Sequence, residues 1–281
     1  MKQLKFLFLS ITLFLSFFAS NLPEICSHNI EENQSNKHFV LIHGACHGAW
    51  CWYKIASLLK NAGYKVSAVD LASAGINMGD ADTIFTFEEY NKPLVDLISK
   101  IPENQKVILV GHSAGGLSLS NAIRVCGKRI SLVIYVAARP ANFDPKSITV
   151  LRKDLFHYWY ALGPNKPPTS VIFRSEKQRE MLSQLSPYED SILASMLLRR
   201  APFRAFADSG FEGQIEKVST VYIKTKKDTV VSLELQEQII RFLSPDEVMD
   251  VDSDHSPFFS KPNELFALLV KASATYCGED Q

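Results

Sequence analysis

The 281-residue chain lacks an excess of either charge, with 30 Lys plus Arg against 30 Asp plus Glu. No long run of one sign supplies a local field either, so nothing draws nucleic acid or an anionic lipid surface to it. A small, neutral partner is the expectation, and no nucleic acid. Cysteine is sparse and unorganised. Cys26, Cys46, Cys51, Cys126 and Cys277 are odd in number and spaced for neither a disulfide framework nor a zinc site. His43, Cys46 and His47 stand close together, but no carboxylate recurs beside them at ligand spacing, so no metal and no cofactor is expected. Internal repeats and low-complexity tracts are absent, which excludes solenoids and arrays. Ordinary composition, 46% hydrophobic and 21% charged, favours one substantial globular core.

The most apolar run is at the N-terminus, where Lys2 and Lys5 precede Phe6 to Ala19. Ser10, Thr12 and Ser16 interrupt that run, and it is short for a bilayer span. A basic n-region before a short apolar stretch reads as a signal peptide over residues 1–20, with the cleavage point left open by Phe17 and Phe18. Residues 21–36 form a polar arm carrying the one glycosylation sequon, Asn33 to Ser35. The expected location is the secretory pathway, ending in the apoplast, extracellular space or vacuole, with the cytoplasm as alternative. No stable membrane anchor is expected once the leader is gone. The oligomeric state is left open, a homodimer included.

From Lys37 the chain alternates short β-branched runs with amphipathic segments. "HFVLIHG", "YKVSAVDL", "KVILVG" and "ISLVIYVAA" read as strands, and "WCWYKIASLLKNAG" and "LSLSNAIRVCG" as helices. Thr86 and Glu89 form a capping box for another helix running to about Lys100, with Pro93 expected to distort it locally. Continuously apolar strands imply a mostly parallel sheet with helices on both faces, an α/β class fold. The rhythm breaks between Arg139 and about Gly213, where proline and aromatics crowd. Residues 139–213 are therefore expected to be an inserted lid, and 37–138 with 214–281 the core. "STVYIKT", a helix after Ser232, "DEVMDVD" and a helix from "KPNELFALLVKAS" complete it.

"VILVGHSAGG" places Gly111-His112-Ser113-Ala114-Gly115 directly between a strand and a helix. That is the context of a nucleophile elbow, whose glycines Gly111 and Gly115 relieve crowding around a strained serine. A serine hydroxyl attacks only when a histidine takes its proton and an acid fixes that histidine's tautomer. In this architecture the acid and base follow the serine in that order. Asp228, just past "VYIKT", and His255, just past "VMDVD", fit. Asp250, Asp252 and Asp254 lie too near His255 in sequence to hold the far side of its ring and read as solvated edge charges. His157 reads as a lid aromatic. The oxyanion donors are expected from the backbones of Ala114 and Ala45, the latter beside Gly44 in "IHGACHGAW".

These residues, together with "DLASAGIN", "GHSAGGLS", "LGPNKPPTS" and "SDHSPFFSKP", resemble the plant methylesterase and hydroxynitrile lyase family of α/β hydrolases from about Lys37 to Ser273. "GHSAGGLS", "PPTS" and "DHSPFF" are most similar to methylesterases acting on methyl indole-3-acetate, the auxin methyl ester. Relatives act on methyl salicylate, methyl jasmonate and alkaloid methyl esters. The resemblance implies an α/β-hydrolase fold, the triad Ser113, Asp228 and His255, and oxyanion donors at Ala45 and Ala114. Lyases of the family carry threonine where this chain has Gly44 and lysine where it has Ser256, so cyanohydrin cleavage is disfavoured. The intact Ser113 argues against the methylketone-forming branch, which has alanine there. A receptor on the same fold is a further alternative. Under an aromatic lid, Gly44, His112, Phe156, Tyr158, Trp159, Phe173 and Phe203 are the expected substrate contacts.

Overall fold

A computed structural model describes residues 37–143, 153–211 and 216–278. The expected leader, the polar arm with its sequon, and Cys26 lie outside the described residues. Six strands form one parallel sheet in the order β2-β1-β3-β4-β8-β9: β1 (His38–Ile42), β2 (Lys65–Val69), β3 (Val107–His112), β4 (Ile130–Val136), β8 (Ser219–Thr225) and β9 (Glu247–Val251). Their side chains alternate between two covered faces. Val40, Ile42, Leu109 and Tyr135 enter one core with Leu94, Leu117 and Ile239. Phe39, Leu41, Ile108 and Ile134 enter the other with Ile55, Leu59, Leu265 and Leu269. Burial on both faces is why the central strands β1, β3 and β4 read as unbroken apolar runs, whereas the edge strands β2 and β9 carry exposed polar residues.

Helix α1 (Tyr53–Asn61) follows β1 and ends before Gly63, whose φ is +86°. Helix α2 (Phe87–Ser99) begins at the expected capping box, with the Thr86 side chain accepting from the Glu89 N–H and the Glu89 carboxylate accepting from the Thr86 N–H. It continues through Pro93. Helix α3 (Gly115–Cys126) follows β3. The first turn of strands runs from β1 outward to β2, and the second from β3 outward to β4, so the winding reverses between β1 and β3. Ligands of doubly wound sheets sit outside the carboxyl ends of the strands at such a reversal. Both the loop after β1 and the turn after β3 open there.

Between β4 and β8, within the segment 139–213 expected to be inserted, the described residues form a second sheet. It is three-stranded and antiparallel, order β5 (Phe156–Trp159), β6 (Ser170–Phe173), β7 (Ala201–Pro202). Helices α4 (Ser175–Leu182), α5 (Tyr188–Leu197) and α6 (Phe203–Ala207) accompany it. The core then closes with α7 (Leu233–Leu243), capped by the Ser232 hydroxyl, a short α8 (Pro257–Ser260), and α9 (Pro262–Tyr276). The four cysteines among the described residues are unpaired thiols.

Candidate active site

The turn after β3 forces Ser113 to φ +55°, a left-handed conformation that a side-chain-bearing residue adopts only at a cost. Neighbouring backbone holds it there: Ser113 N–H donates to Val136 O at 3.2 Å, and Arg139 N–H donates to Ser113 O at 3.1 Å. A Cβ at Gly115 would stand 2.8 Å from His43 O and 2.9 Å from Ile42 O, so only glycine lets the start of α3 rest on the end of β1. At Gly111 a Cβ would meet Leu119 Cγ at 2.7 Å. Gly115 thereby brings the elbow flush against the loop that follows β1, and Gly111 lets α3 lie close over β3.

His255 reaches that elbow from the loop after β9. Its Nε2 is 3.1 Å from Ser113 Oγ, across 142 residues of sequence, and its Nδ1 is 2.7 Å from Asp228 Oδ2. Asp228 comes from the loop after β8 and acts purely as an acceptor: Oδ2 also takes the Thr225 hydroxyl at 2.8 Å, and Oδ1 takes the N–H groups of Val230 and Val231, each at 2.8 Å. With Nδ1–H committed to Asp228, Nε2 is left as the acceptor facing the serine hydroxyl. A base oriented by a buried acid and in hydrogen-bond reach of a hydroxyl is the arrangement nucleophilic acyl transfer needs.

Two N–H groups flank the serine. Ala114 precedes the first turn of α3, where backbone donors and the positive end of the helix dipole converge. Ala45 lies in the loop after β1. Among the described residues, no backbone hydrogen bond uses either N–H as donor. The Ala45 N–H belongs to the same peptide plane as the Gly44 carbonyl, and that carbonyl is 2.8 Å from His43 Nδ1. The Leu71 N–H donates to His43 Nε2 at 3.2 Å, so Nε2 is bare and Nδ1 carries the proton that Gly44 O accepts. His47 Nδ1 is 3.1 Å from Ala45 O. The two histidines of this loop thus turn onto the carbonyls of Gly44 and Ala45. Burial holds His43 below the ordinary histidine range and lowers His47 to about 4.

Lid residues divide by the alternation of β5. Phe156 and Tyr158 pack in one cluster with Phe173, Phe203, Cys46, Val230 and Ala45 itself, between the lid sheet and the oxyanion loop. Phe156 and Phe173 have ring centroids 4.3 Å apart, and Tyr158 meets Phe203 edge-on at 5.4 Å. Phe173 is buried, so Phe156, Tyr158 and Phe203 carry the half-exposed aromatic surface. Trp159, expected to contact substrate, does not share this face. It is 39% exposed on the other side of β5, with the Arg200 guanidinium 5.2 Å over its ring. His157 alternates outward with it. His112 is likewise no substrate contact. Its ring is fully buried behind the site, 4.6 Å from the His255 ring, and donates Nε2–H to His255 O at 2.6 Å. Burial, with His255 and His47 alongside, keeps it neutral. Gly44 does border the nucleophile, since a Cβ there would stand 2.9 Å from Ser113 Cβ.

One acid was misread from sequence. Asp250 and Asp252 do stay at the surface, paired with Lys224 and Lys227, but Asp254 is fully buried and accepts four hydrogen bonds.

A model of the alpha/beta hydrolase family matches residues 39–268. Methylesterase 17 of Arabidopsis thaliana is 40% identical over 261 residues, covering 88% of this chain and 95% of that protein. Pheophorbidase of Raphanus sativus is 43% identical over 245 residues, covering 84% and 93%. The crystal structure of methylesterase MES16 from Arabidopsis superposes with a TM-score of 0.77 at 42% identity, covering 85% of this chain and 99% of that one. Over nearly the whole length of these relatives, and with a strand-borne serine in reach of an oriented histidine, the chain belongs to the α/β hydrolase family and, within it, to the plant methylesterases.

Proposed function

We propose that this carboxylesterase demethylates a small, flat aromatic or hormone-like methyl ester through an acyl-enzyme on Ser113. The observation that carries the reading is the continuous chain from Ser113 Oγ through His255 to Asp228, at 3.1 and 2.7 Å, beneath half-exposed lid aromatics. Ser113 Oγ attacks the ester carbonyl as His255 Nε2 takes its proton. The oxyanion that forms is held by the N–H groups of Ala45 and Ala114. Collapse expels methoxide, which leaves as methanol with the proton from His255. Water then attacks the acyl-enzyme with His255 again as base, and the carboxylic acid departs. Asp228 keeps the proton of the resting imidazole on Nδ1 and stabilises the imidazolium without itself taking the proton.

Methanol offers little to recognise, so selectivity falls to the acyl group. Phe156, Tyr158 and Phe203 suit a flat ring by stacked or edge contacts. Methyl indole-3-acetate is the favoured ester, ahead of methyl salicylate, methyl jasmonate and alkaloid methyl esters. The preference for the indole ester is supported by the motifs "GHSAGGLS", "PPTS" and "DHSPFF", and methyl-ester cleavage more broadly by the similarity to methylesterase 17. Purified protein offered this panel should release methanol fastest from the indole ester. Equal and negligible release from every ester by folded wild type and its Ser113→Ala variant would end the esterase reading. Gly44 lacks the hydroxyl, and Ser256 the ammonium, that would stabilise departing cyanide at those positions, so mandelonitrile should yield little cyanide above background.

We also propose passage through the secretory pathway, on the strength of Lys2, Lys5 and the apolar run that follows. Residues 1–36 fused to a fluorescent reporter should direct it to the endoplasmic reticulum and lose the leader. Cytosolic fluorescence with an intact N-terminus would refute this and leave the esterase reading untouched.

A further inference from the structure

We infer that Asp254 is a positioning residue for this reaction, a buried carboxylate that ties the seating of the lid to the aim of His255. Its two oxygens serve different parts of the molecule. Oδ1 accepts from the Ser256 N–H at 3.0 Å, next to His255 in the base loop, and from the Ser260 hydroxyl at 2.7 Å, at the end of α8. Oδ2 accepts from the Leu185 N–H and the Ser186 hydroxyl, each at 2.9 Å, both in the lid turn between α4 and α5. All four partners donate, so a carboxylate satisfies them and an amide of the same size does not. With its side chain fully buried and both oxygens engaged, Asp254 has no acceptor left for substrate.

The peptide plane it grips is the one that aims the base. The Ser256 N–H and the His255 carbonyl belong to a single peptide, and that carbonyl accepts the His112 Nε2–H at 2.6 Å. One peptide plane beside the imidazole is therefore fixed from both edges, by His112 on its oxygen and by Asp254 on its nitrogen. The same lid turn also reaches the acid loop. Gln184 Nε2 donates to Lys227 O at 2.7 Å, and the Thr229 hydroxyl donates to Met181 O at 2.9 Å. The end of α4 at Met181 and the turn through Ser186 thus clasp the loops on either side of the Asp228–His255 bond. A rigid, doubly shared carboxylate passes a shift of the lid turn to the base as a rotation of its own plane.

The inference rests on the esterase reading, and a lid variant far in sequence from the triad separates the two. Ser186→Ala keeps the Asp254 charge and removes one lid-side bond. Two substrates report on it: p-nitrophenyl acetate, whose acetyl group is too small to need the lid aromatics, and an aromatic methyl ester. Ser186→Ala is expected to lower kcat on both by about 5- to 20-fold, with KM for the acetate unchanged. The low-field proton resonance of the His255 Nδ1–H should shift as well, in a variant that still melts cooperatively. A lid role confined to packing predicts instead a higher KM for the aromatic ester alone, with the acetate rate and the resonance as in wild type, and that result would overturn the inference. Asp254→Asn, which turns an amide N–H onto donors, should combine the losses but threatens folding, so Ser186→Ala decides, with Ser260→Ala as its counterpart on Oδ1. A wild-type chain inert on both esters would remove the esterase reading and this inference together. An active wild type with unaltered Ser186→Ala and Ser260→Ala would remove the inference alone.

Discussion

The peptide between Gly44 and Ala45 shows how one side chain sets a backbone donor. His43 is locked as the Nδ1–H tautomer because Leu71 N–H can only donate, and the proton it gives to Gly44 O both orients and polarises the Ala45 N–H on the same plane. The oxyanion develops on the way to the tetrahedral intermediate and is not present in the bound ester, so loss of this support should appear in kcat rather than KM. We expect His43→Ala to lower kcat by roughly 10- to 100-fold on any methyl ester with KM within about two-fold. Steady-state kinetics on one good substrate checks this, and a change confined to KM would contradict it. Ser113→Ala should fold normally and lose turnover by orders of magnitude, and Asp228→Asn should lose about 10⁴-fold through the wrong imidazole tautomer. Ser113, Asp228 and His255 were legible in the sequence because each follows a strand-like run in the order this chemistry requires. Asp254 was not. In "DVDSDH" three acids look alike, and only the approach of Leu185 and Ser186 from nearly seventy residues away in sequence separates the buried one from its exposed neighbours.

The segment between β4 and β8 was legible as an interruption of the alternation but not as a sheet. "FHYW" is four aromatic residues in succession, and its alternating use becomes visible only once β5 pairs with β6, Phe156 opposite Phe173 and Trp159 opposite Ser170. Proline and glycine in the connection at 160–169 hide that pairing, since they signal loop rather than strand. Two substitutions on β5 should separate its faces. Tyr158→Ala is expected to raise KM for an aromatic methyl ester several-fold, through lost contact with the Phe203 side of the cluster, whereas Trp159→Ala should leave kcat/KM within about two-fold. Comparable losses from both would mean that the outward face also meets substrate. The core elements were plain from sequence for the opposite reason: burial on both faces makes β1, β3 and β4 near-uninterrupted apolar runs, and the capping box at Thr86 marks a helix start with side chains alone.

Taken whole, the molecule places three buried, neutral histidines around its reacting serine, and this gives its stability a direction in pH. His47 lies at about 4 in the folded chain against 6.5 for an unburied imidazole, and His43 and His112 are lowered by burial too. Between those values the unfolded chain binds protons that the folded chain refuses. Stability is therefore complete above about pH 6.5 and falls as the pH drops toward 4, by on the order of 3 kcal/mol for His47 alone. Thermal melts from pH 8 to 4 should show this decline, and His47→Gln should make it shallower, leaving the share of His43 and His112. A midpoint that rises on acidification would contradict the sign. The sheet has a consequence of another kind. β4 and β8 are direct neighbours, Ile134 beside Val221, yet the whole lid is synthesised between them. On the ribosome, β1, β3 and the serine can assemble first, while the acid must wait for β8 and the base for β9. The growing chain thus holds a nucleophile with no proton acceptor, and stays chemically silent toward the cell's esters until its last strand has emerged and docked.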